Sequence, residues 1–241
     1  MARFVESKGF QNRLKGGVFL SLVTIPTYFL ADGIMFRIIL TTGLALALLE
    51  LHTIVFTTFF IPDQRELSPI VAIFLTLTLS ILATWHFPLA IVGGVVVVVV
   101  ATDTCAYFGG KILGGKIPKT RPFPAISPNK TCEGTIVGLA FGMVAAILWT
   151  EFVIIDVTNE LLSCFLWMPL AAVAGDMLES YFKRHAGIKD SNDFLVDQPV
   201  IGYIEGLLGG KGGHGGYLDR LDSCSFVLSL LYLINILGLL G

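Results

Sequence analysis

Apolar runs separated by short polar segments occupy most of the chain, a pattern typical of a protein that crosses a membrane several times. The runs cover, approximately, residues 17–31, 34–60, 69–85, 88–108, 134–150, 161–180 and 224–240. Backbone polar groups in lipid must be satisfied within the segment, so each run is expected to be helical, including the β-branched run Val95–Val100. The pattern predicts an all-α fold: a polytopic membrane helical bundle of about seven transmembrane helices.

Composition agrees with this pattern. Mean hydropathy is +0.80, and 14% of the residues are charged, against about 25% in soluble domains. Residues 1–16 are basic with interspersed apolar side chains, which predicts a short amphipathic segment on the membrane surface. No small-residue cleavage site follows the first apolar run, so we expect it to be retained as a span. The four cysteines lack CxxC spacing and predict neither a zinc site nor a disulfide framework.

Basic residues are distributed unevenly among the polar segments. If the N-terminus is cytoplasmic, the inward segments 1–16, 61–69, 109–133 and 181–223 contain fifteen of the sixteen Lys and Arg residues, and only Arg37 lies outside. This distribution follows the positive-inside rule and predicts a cytoplasmic N-terminus. It also predicts that the two large polar loops, 109–133 and 181–223, share one face and can form one site.

The richest concentration of charged residues lies between the sixth and last apolar runs. Asp176 and Glu179 share a face of a predicted helix, and Asp219 and Asp222 repeat this spacing at the start of the last helix. Carboxylates can hold a hard cation such as Mg²⁺, while basic side chains and glycine amides can hold phosphates. Charged groups beside lipid are costly, which favours a functional site over the alternative of interfacial salt bridges.

Two further segments have suitable chemistry for phosphate. The run GGKGGHGG at 209–216 can present successive N–H groups as an anion cradle with His214 as a donor, although a flexible linker has similar composition. The segment ISPNKTCEG at 126–134 offers hydroxyl, amide and cationic groups before a predicted helix start. Upstream, Asp103 lies near the inner end of the fourth run, and the lysines after it could serve only to set the topology.

These segments resemble the phosphatidate cytidylyltransferase (CDP-diglyceride synthase) family. The family signature Ser-x-x-Lys-Arg, Lys-Asp and His-Gly-Gly-x-x-Asp-Arg-x-Asp is matched by Ser180, Lys183, Arg184, Lys189, Asp190, His214, Gly215, Gly216, Asp219, Arg220 and Asp222. ISPNKTCEG and the block DTCAYFGG at 103–110 are similar to two further family blocks. The resemblance covers roughly residues 103–223, and this chain carries an insertion between Asp190 and His214 relative to the family pattern.

The resemblance implies transfer of CMP from CTP to phosphatidic acid, giving CDP-diacylglycerol and pyrophosphate, at the cytoplasmic face of the inner membrane. Because the attacking phosphate is already anionic, the main difficulty is bringing two polyanions together, a task for Mg²⁺ and basic side chains. The implied organisation is an N-terminal set of transmembrane helices, 1–102, followed by a catalytic membrane domain, 103–241, that carries both large loops.

The implied site residues fall into three groups. The metal ligands are Asp176, Asp219 and Asp222. The catalytic and phosphate-holding residues are Lys183, Arg184, Lys189, Asp190, His214 and Arg220. The substrate-binding residues are Ser127, Asn129, Lys130, Thr131, Ser180, Gly215 and Gly216. Mg²⁺ is the expected cofactor, with a monovalent cation as a second candidate, and a homodimer without nucleic-acid partners is the expected assembly.

Two other functions fit parts of the pattern. A CTP-dependent polyprenol or phytol kinase would also be polytopic with similar nucleotide-binding blocks, but would release CDP rather than pyrophosphate. A small ion transporter would place charges in the middle of its spans, whereas here nearly all charges lie at the inner ends, apart from Glu50 and Asp103. The full signature favours cytidylyl transfer.

Overall fold

The computed structural model describes residues 26–29, 31–59, 68–114, 121–124, 126–128, 130–154, 158–186 and 217–239. Six long helices occupy most of them, and this part of the chain contains no strand. The helices are α1 (Ile34–Phe59), α2 (Ser68–His86), α3 (Leu89–Ile112), α4 (Cys132–Val153), α5 (Asn159–Ala186) and α6 (Leu218–Ile236). The predicted all-α bundle is therefore confirmed.

Four of these helices contain a segment long and apolar enough to cross a membrane: Ile34–Val55, Leu89–Ile112, Cys132–Val153 and Asn159–Arg184. The apolar part of α2, Ile70–His86, is shorter. Large apolar side chains cover the outside of the bundle, with Phe152 82% and Trp167 66% exposed, as expected for surfaces that face lipid. The chain is thus an integral membrane protein, while the count of seven spans stays a prediction because the first run lies mostly outside the described residues.

The turn predicted at Asp32–Gly33 is present as a short 3-10 segment, Ala31–Gly33, that leads into α1. Asp32 and Gly33 both adopt positive φ, at 53° and 73°. A side chain at position 33 would also collide with Leu89, because an added Cβ would lie 2.1 Å from its Cδ2. Glycine is therefore required here by both backbone conformation and space.

The helices extend beyond the apolar runs into both large polar segments. Helix α3 continues to Ile112, and α5 and α6 take up both ends of the predicted loop 181–223. The loop 109–133 is similarly shortened, since α4 begins at Cys132. The charged residues Lys183 of α5 and Asp219 of α6 do not end these two helices, because they pair with each other across the bundle. Asp219 and Asp222 consequently lie on the first turns of α6, on a regular backbone.

Helices α3 and α4 pack closely along a stripe of small residues. The stripe consists of Gly134, Gly138 and Gly142 on α4 and Thr102, Ala106 and Gly110 on α3. A Cβ added at position 138 would lie 2.6 Å from the Cβ of Ala106, and one at 134 would lie 2.6 Å from its carbonyl oxygen. Such small-xxx-small spacing lets two backbones approach in lipid, where packing rather than water exclusion holds helices together.

Helix α6 is central, since it packs against α1, α2, α3 and α5. At one end of the bundle, here called the Arg37 end, the Arg37 guanidinium donates to the carbonyl oxygens of Thr84 and Phe87, the latter at 2.8 Å. His86 Nε2 lies 3.0 Å from Asn235 Oδ1 at the same end. The charged residues of α5 and the start of α6 lie at the opposite end, here called the Lys183 end.

Candidate active site

The segment before α4 contacts α5 at the Lys183 end. Lys130 Nζ forms an ion pair with Asp176 Oδ2, and Ser180 Oγ donates to Asp176 Oδ1 at 3.3 Å. Arg184 Nε donates to the carbonyl oxygen of Ile126 at 3.3 Å. The structure thus brings together the two polar segments that the charge distribution placed on one face.

A second ion-pair group joins α5 to α6. Lys183 Nζ lies 2.7 Å from Glu179 Oε2 and 2.7 Å from Asp219 Oδ1. The three side chains are nearly enclosed, with exposed fractions of 13% for Lys183, 4% for Glu179 and 12% for Asp219. A buried lysine shared between two carboxylates is far less screened by solvent than a surface pair.

Nearby carboxyl groups outnumber the two lysines, Lys130 and Lys183. The charges of Asp176 and Asp103 both act on Asp222, and Asp103 also interacts with Lys130. Asp222 and Asp219 both act on Glu179, which therefore links the two groups. Five carboxyl groups are accordingly gathered near two lysines, and oxygen ligands of this kind suit a hard cation.

The glycine at position 175 allows the acidic residues of α5 and α6 to lie close together. Gly175 precedes Asp176 on α5, and a Cβ at this position would lie 2.6 Å from the Cβ of Phe226 and 3.1 Å from the Cα of Ser223. Any larger residue would push α6 away from α5. Because Asp222 adjoins Ser223, this approach places Asp176 and Asp222 close together.

The start of α6 is held by α1. Glu50 Oε1 accepts from the Tyr217 N–H at 2.8 Å, and Oε2 accepts from the Leu218 N–H at 2.9 Å. Helix α1 continues from Glu50 to Phe59, about 14 Å at the usual rise per residue. The first turn of α6 therefore begins well inside the bundle, between other helices.

The remaining predicted residues are placed as follows. Thr131 caps α4 by accepting from the Gly134 N–H at 3.2 Å, and Ser127 lies in a turn in which its carbonyl accepts from the Lys130 N–H at 3.3 Å. The side chains of Arg184 and Arg220 are exposed. Six predicted site residues lie outside the described part of the chain: Asn129, Lys189, Asp190, His214, Gly215 and Gly216.

The three predicted metal ligands are not gathered into one ready-made ligand set. Among the residues that the structure describes, no group of three or more His, Cys, Asp or Glu side chains has metal-binding geometry. Asp176 and Asp222 interact with each other and with Asp103, whereas Asp219 is bonded to Lys183. The metal assignment therefore stays a prediction.

Three acidic residues gain importance from the structure. Asp103 and Glu179 were visible in the sequence as charged residues near the predicted site, but neither was assigned a role in it. Glu50 carried a weaker signal, a single acid within an apolar run, which is costly unless it has a partner. Its partner is 167 residues away, so local pattern could not identify it.

Several known proteins are similar to this chain in sequence. A phosphatidate cytidylyltransferase of Helicobacter pylori (strain J99) is 44% identical over 102 residues, which cover 41% of this chain and 35% of the relative. One from Staphylococcus aureus (strain COL) is 42% identical over 95 residues, covering 39% of this chain and 35% of the relative. One from Staphylococcus saprophyticus is 38% identical over 99 residues, covering 41% and 36%.

The matched segments thus span about a third of these curated relatives, 35% to 36% of their length. A broader match comes from the family as a whole, whose sequence model aligns with residues 1–198. That range includes the segment before α4 and all of α5, which together supply Lys130, Asp176 and Lys183. With most of its 241 residues matched in this way, the chain belongs to the cytidylyltransferase family.

Proposed function

We propose that this protein transfers CMP from CTP to phosphatidic acid, giving CDP-diacylglycerol and pyrophosphate. The observation that carries the proposal is that the Lys130–Asp176 and Lys183–Asp219 ion pairs join the segment before α4, helix α5 and the start of α6 at one place. A reaction between two phosphates needs acids and bases together at one place beside lipid. The similar proteins from Helicobacter pylori and Staphylococcus aureus are phosphatidate cytidylyltransferases, which supports the same substrates.

Four basic residues are available to hold phosphates. Lys130 and Lys183 lie within the site and bond to carboxylates, so they can turn to a phosphate without crossing the bundle. Arg184 and Arg220 are exposed at the same end and can guide an anionic substrate inward. Cationic groups around the reacting phosphorus stabilise the charge of the departing pyrophosphate.

The reaction balances without a strong base. An anionic oxygen of the phosphatidic acid headgroup forms a bond to the α-phosphorus of CTP, and the bond from that phosphorus to the oxygen bridging to the β-phosphate breaks. The electron pair leaves with pyrophosphate. The protein has to align the two phosphates and exclude water, since hydrolysis of CTP would be the competing reaction.

Mg²⁺ is part of the proposal. Asp103, Asp176 and Asp222 offer the oxygen ligands that a hard cation prefers. Binding would have to bring them together, since the described residues hold no ready-made ligand set. When bound, the ion would neutralise part of the triphosphate charge. Asp176 would have to rotate away from Lys130, and this rotation would free the lysine for a phosphate. Asp219, bonded to Lys183, is better placed to position that lysine than to bind metal directly.

The site is proposed to open to the cytoplasm, with the protein in the inner membrane. The uneven distribution of Lys and Arg supports this orientation. The acyl chains of the lipid would stay in the bilayer while its headgroup meets CTP. The homodimer and the monovalent cation expected from the family resemblance are kept as predictions, which cross-linking in membranes and a K⁺ titration would test.

Product analysis tests the proposed reaction. Purified protein in lipid nanodiscs would be incubated with CTP, Mg²⁺ and either phosphatidic acid or an unphosphorylated polyprenol. We expect CDP-diacylglycerol and pyrophosphate from the first mixture, loss of both with excess EDTA, and no product from the second. Formation of CDP and a phosphorylated alcohol would establish the lipid-kinase alternative instead, which neither the site nor the named relatives favour.

A further inference from the structure

Glu50 is an acid buried among apolar helices. Its exposed fraction is 2%, and it belongs to the first long helix, far in sequence from every segment that resembles the family signature. Its two carboxylate oxygens accept from the N–H groups of Tyr217 and Leu218, at 2.8 and 2.9 Å. Burying a carboxylate in a membrane helix is costly, so the position of Glu50 within the bundle needs an explanation.

The bonds cap the helix that carries the acidic residues of the site. The first N–H groups of a helix have no partner within it, and Tyr217 provides no side-chain cap of its own. A carboxylate at this end also interacts favourably with the helix dipole. Because both oxygens are used, on adjacent N–H groups, Glu50 restricts both the depth and the rotation of the first turn of α6.

The restricted turn is the one that presents Asp219 and Asp222. Asp219 follows Leu218 directly and bonds to Lys183, while Asp222 lies one turn later, near Asp176 and Asp103. A small rotation of α6 would separate both acids from their partners on α3 and α5. The bonds of Glu50 to the Tyr217 and Leu218 N–H groups connect it to these acids through the backbone of α6.

We propose that Glu50 is a positioning residue for the reaction centre. It fixes the start of α6 so that Asp219 and Asp222 face α5 and α3. This inference rests on the proposed function. The competing explanation is that Glu50 is a structural cap whose loss lowers stability without affecting the alignment of the site.

The test compares Glu50→Gln and Glu50→Asp with a control in the same helix. Gln keeps the size but has one acceptor oxygen, so one of the two N–H groups loses its partner. Asp keeps the charge with a shorter reach and should recover part of the function. Leu44→Ala is the control, because Leu44 is fully buried in α1 and its truncation loosens packing without altering the cap.

Three measurements separate the explanations. Hydrogen exchange of the peptide containing 217–222 should increase about tenfold in Glu50→Gln, as expected for loss of a helix cap. Its kcat for CMP transfer should fall about ten- to a hundredfold, the size seen when groups that orient ligands are lost. Half-saturation by Mn²⁺, followed by electron paramagnetic resonance without turnover, should shift to higher concentration. Leu44→Ala should lower the thermal midpoint with none of these three changes.

The outcomes are distinct. Faster exchange at 217–222 with lower kcat and weaker Mn²⁺ binding, partly recovered in Glu50→Asp, supports the positioning role. Wild-type kcat and Mn²⁺ binding in Glu50→Gln, or the same kinetic loss in Leu44→Ala, overturns it while leaving the proposed function intact. A wild-type protein that forms no CDP-diacylglycerol overturns the proposed function and, with it, the positioning role.

Discussion

The two ends of the helical bundle satisfy their polar groups in opposite ways. At the Arg37 end, one cation donates to neutral main-chain carbonyls that α2 leaves at its C-terminus, and His86 bonds to the amide of Asn235. At the Lys183 end, Lys130 and Lys183 are surrounded by five interacting carboxylates. The first arrangement closes the ends of helices with one cation and neutral acceptors.

The second arrangement is expensive for folding. Like charges held together repel, and taking them out of water adds a desolvation cost that the two lysines offset only in part. Such a cluster is not needed to close a bundle, as the Arg37 end demonstrates. The difference indicates that closing the bundle does not account for the polar groups at the Lys183 end, where the proposed function places a ligand. Substitutions at the two ends should therefore separate stability from activity.

The largest expected effect is that of Asp222→Asn. Activity should fall by more than about a hundredfold, beyond what the loss of an outer orienting group costs, because Asp222 is a proposed ligand. Stability should be little changed, since Asn has nearly the same shape and can still accept from the Ser223 N–H, now bonded at 2.7 Å. Activity of the purified variant and its thermal midpoint would be compared. Wild-type activity would remove Asp222 from the metal site.

An intermediate effect is expected from Gly175→Ala. The added Cβ would collide with the Cβ of Phe226 and the backbone of α6, so α5 and α6 must separate. We expect the free energy of unfolding to fall by about 1–3 kcal/mol. Activity should fall about ten- to a hundredfold, because the site residues are misaligned. Gly43→Ala is the matched control, because its Cβ meets only the flexible tip of Leu221 at 3.0 Å. Equal kinetic effects of the two substitutions would contradict the proposed role of close α5–α6 packing.

The smallest effect on activity is expected from Arg37→Met. Both bonds to the carbonyls of Thr84 and Phe87 are lost. A hydrogen bond to a charged group contributes about 1.5–3 kcal/mol to stability, so the free energy of unfolding should fall by no more than this amount for each bond. The kcat of the folded fraction should be unchanged, because the site lies at the opposite end. Thermal unfolding and steady-state kinetics would be measured on the same preparation. A selective fall in kcat would mean that the two ends are coupled.

Much of the fold could be predicted from the sequence because membrane helices are local structures. Each satisfies its own backbone, so an apolar run of sufficient length predicts a helix even where it contains Val95–Val100. The continuation of the sixth run past Ser180 is confirmed by α5. The helix starts and ends were less predictable, because charged residues at the ends of α5 and α6 find partners across the bundle rather than in water.

The site was predictable in its general location and chemistry but not in its pairings. Charge distribution and resemblance indicated that Lys130, Lys183, Asp176 and Asp219 share one face. The rotation of each helix about its axis determines which lysine pairs with which acid. Gly175 affects that rotation, because it lets α5 approach α6 closely. The catalytic and metal-binding roles of these residues stay predictions that the variants above would test.

The sequence by itself determined the class of fold, the approximate spans and the concentration of acids and bases in two segments, because hydropathy and charge act residue by residue. Only the tertiary structure decided that Glu50 caps α6, that Asp103 joins Asp176 and Asp222, and that Lys183 lies between Glu179 and Asp219. Each of those facts depends on contacts between helices far apart in sequence. Local pattern does not encode such contacts, because packing of the whole bundle selects them.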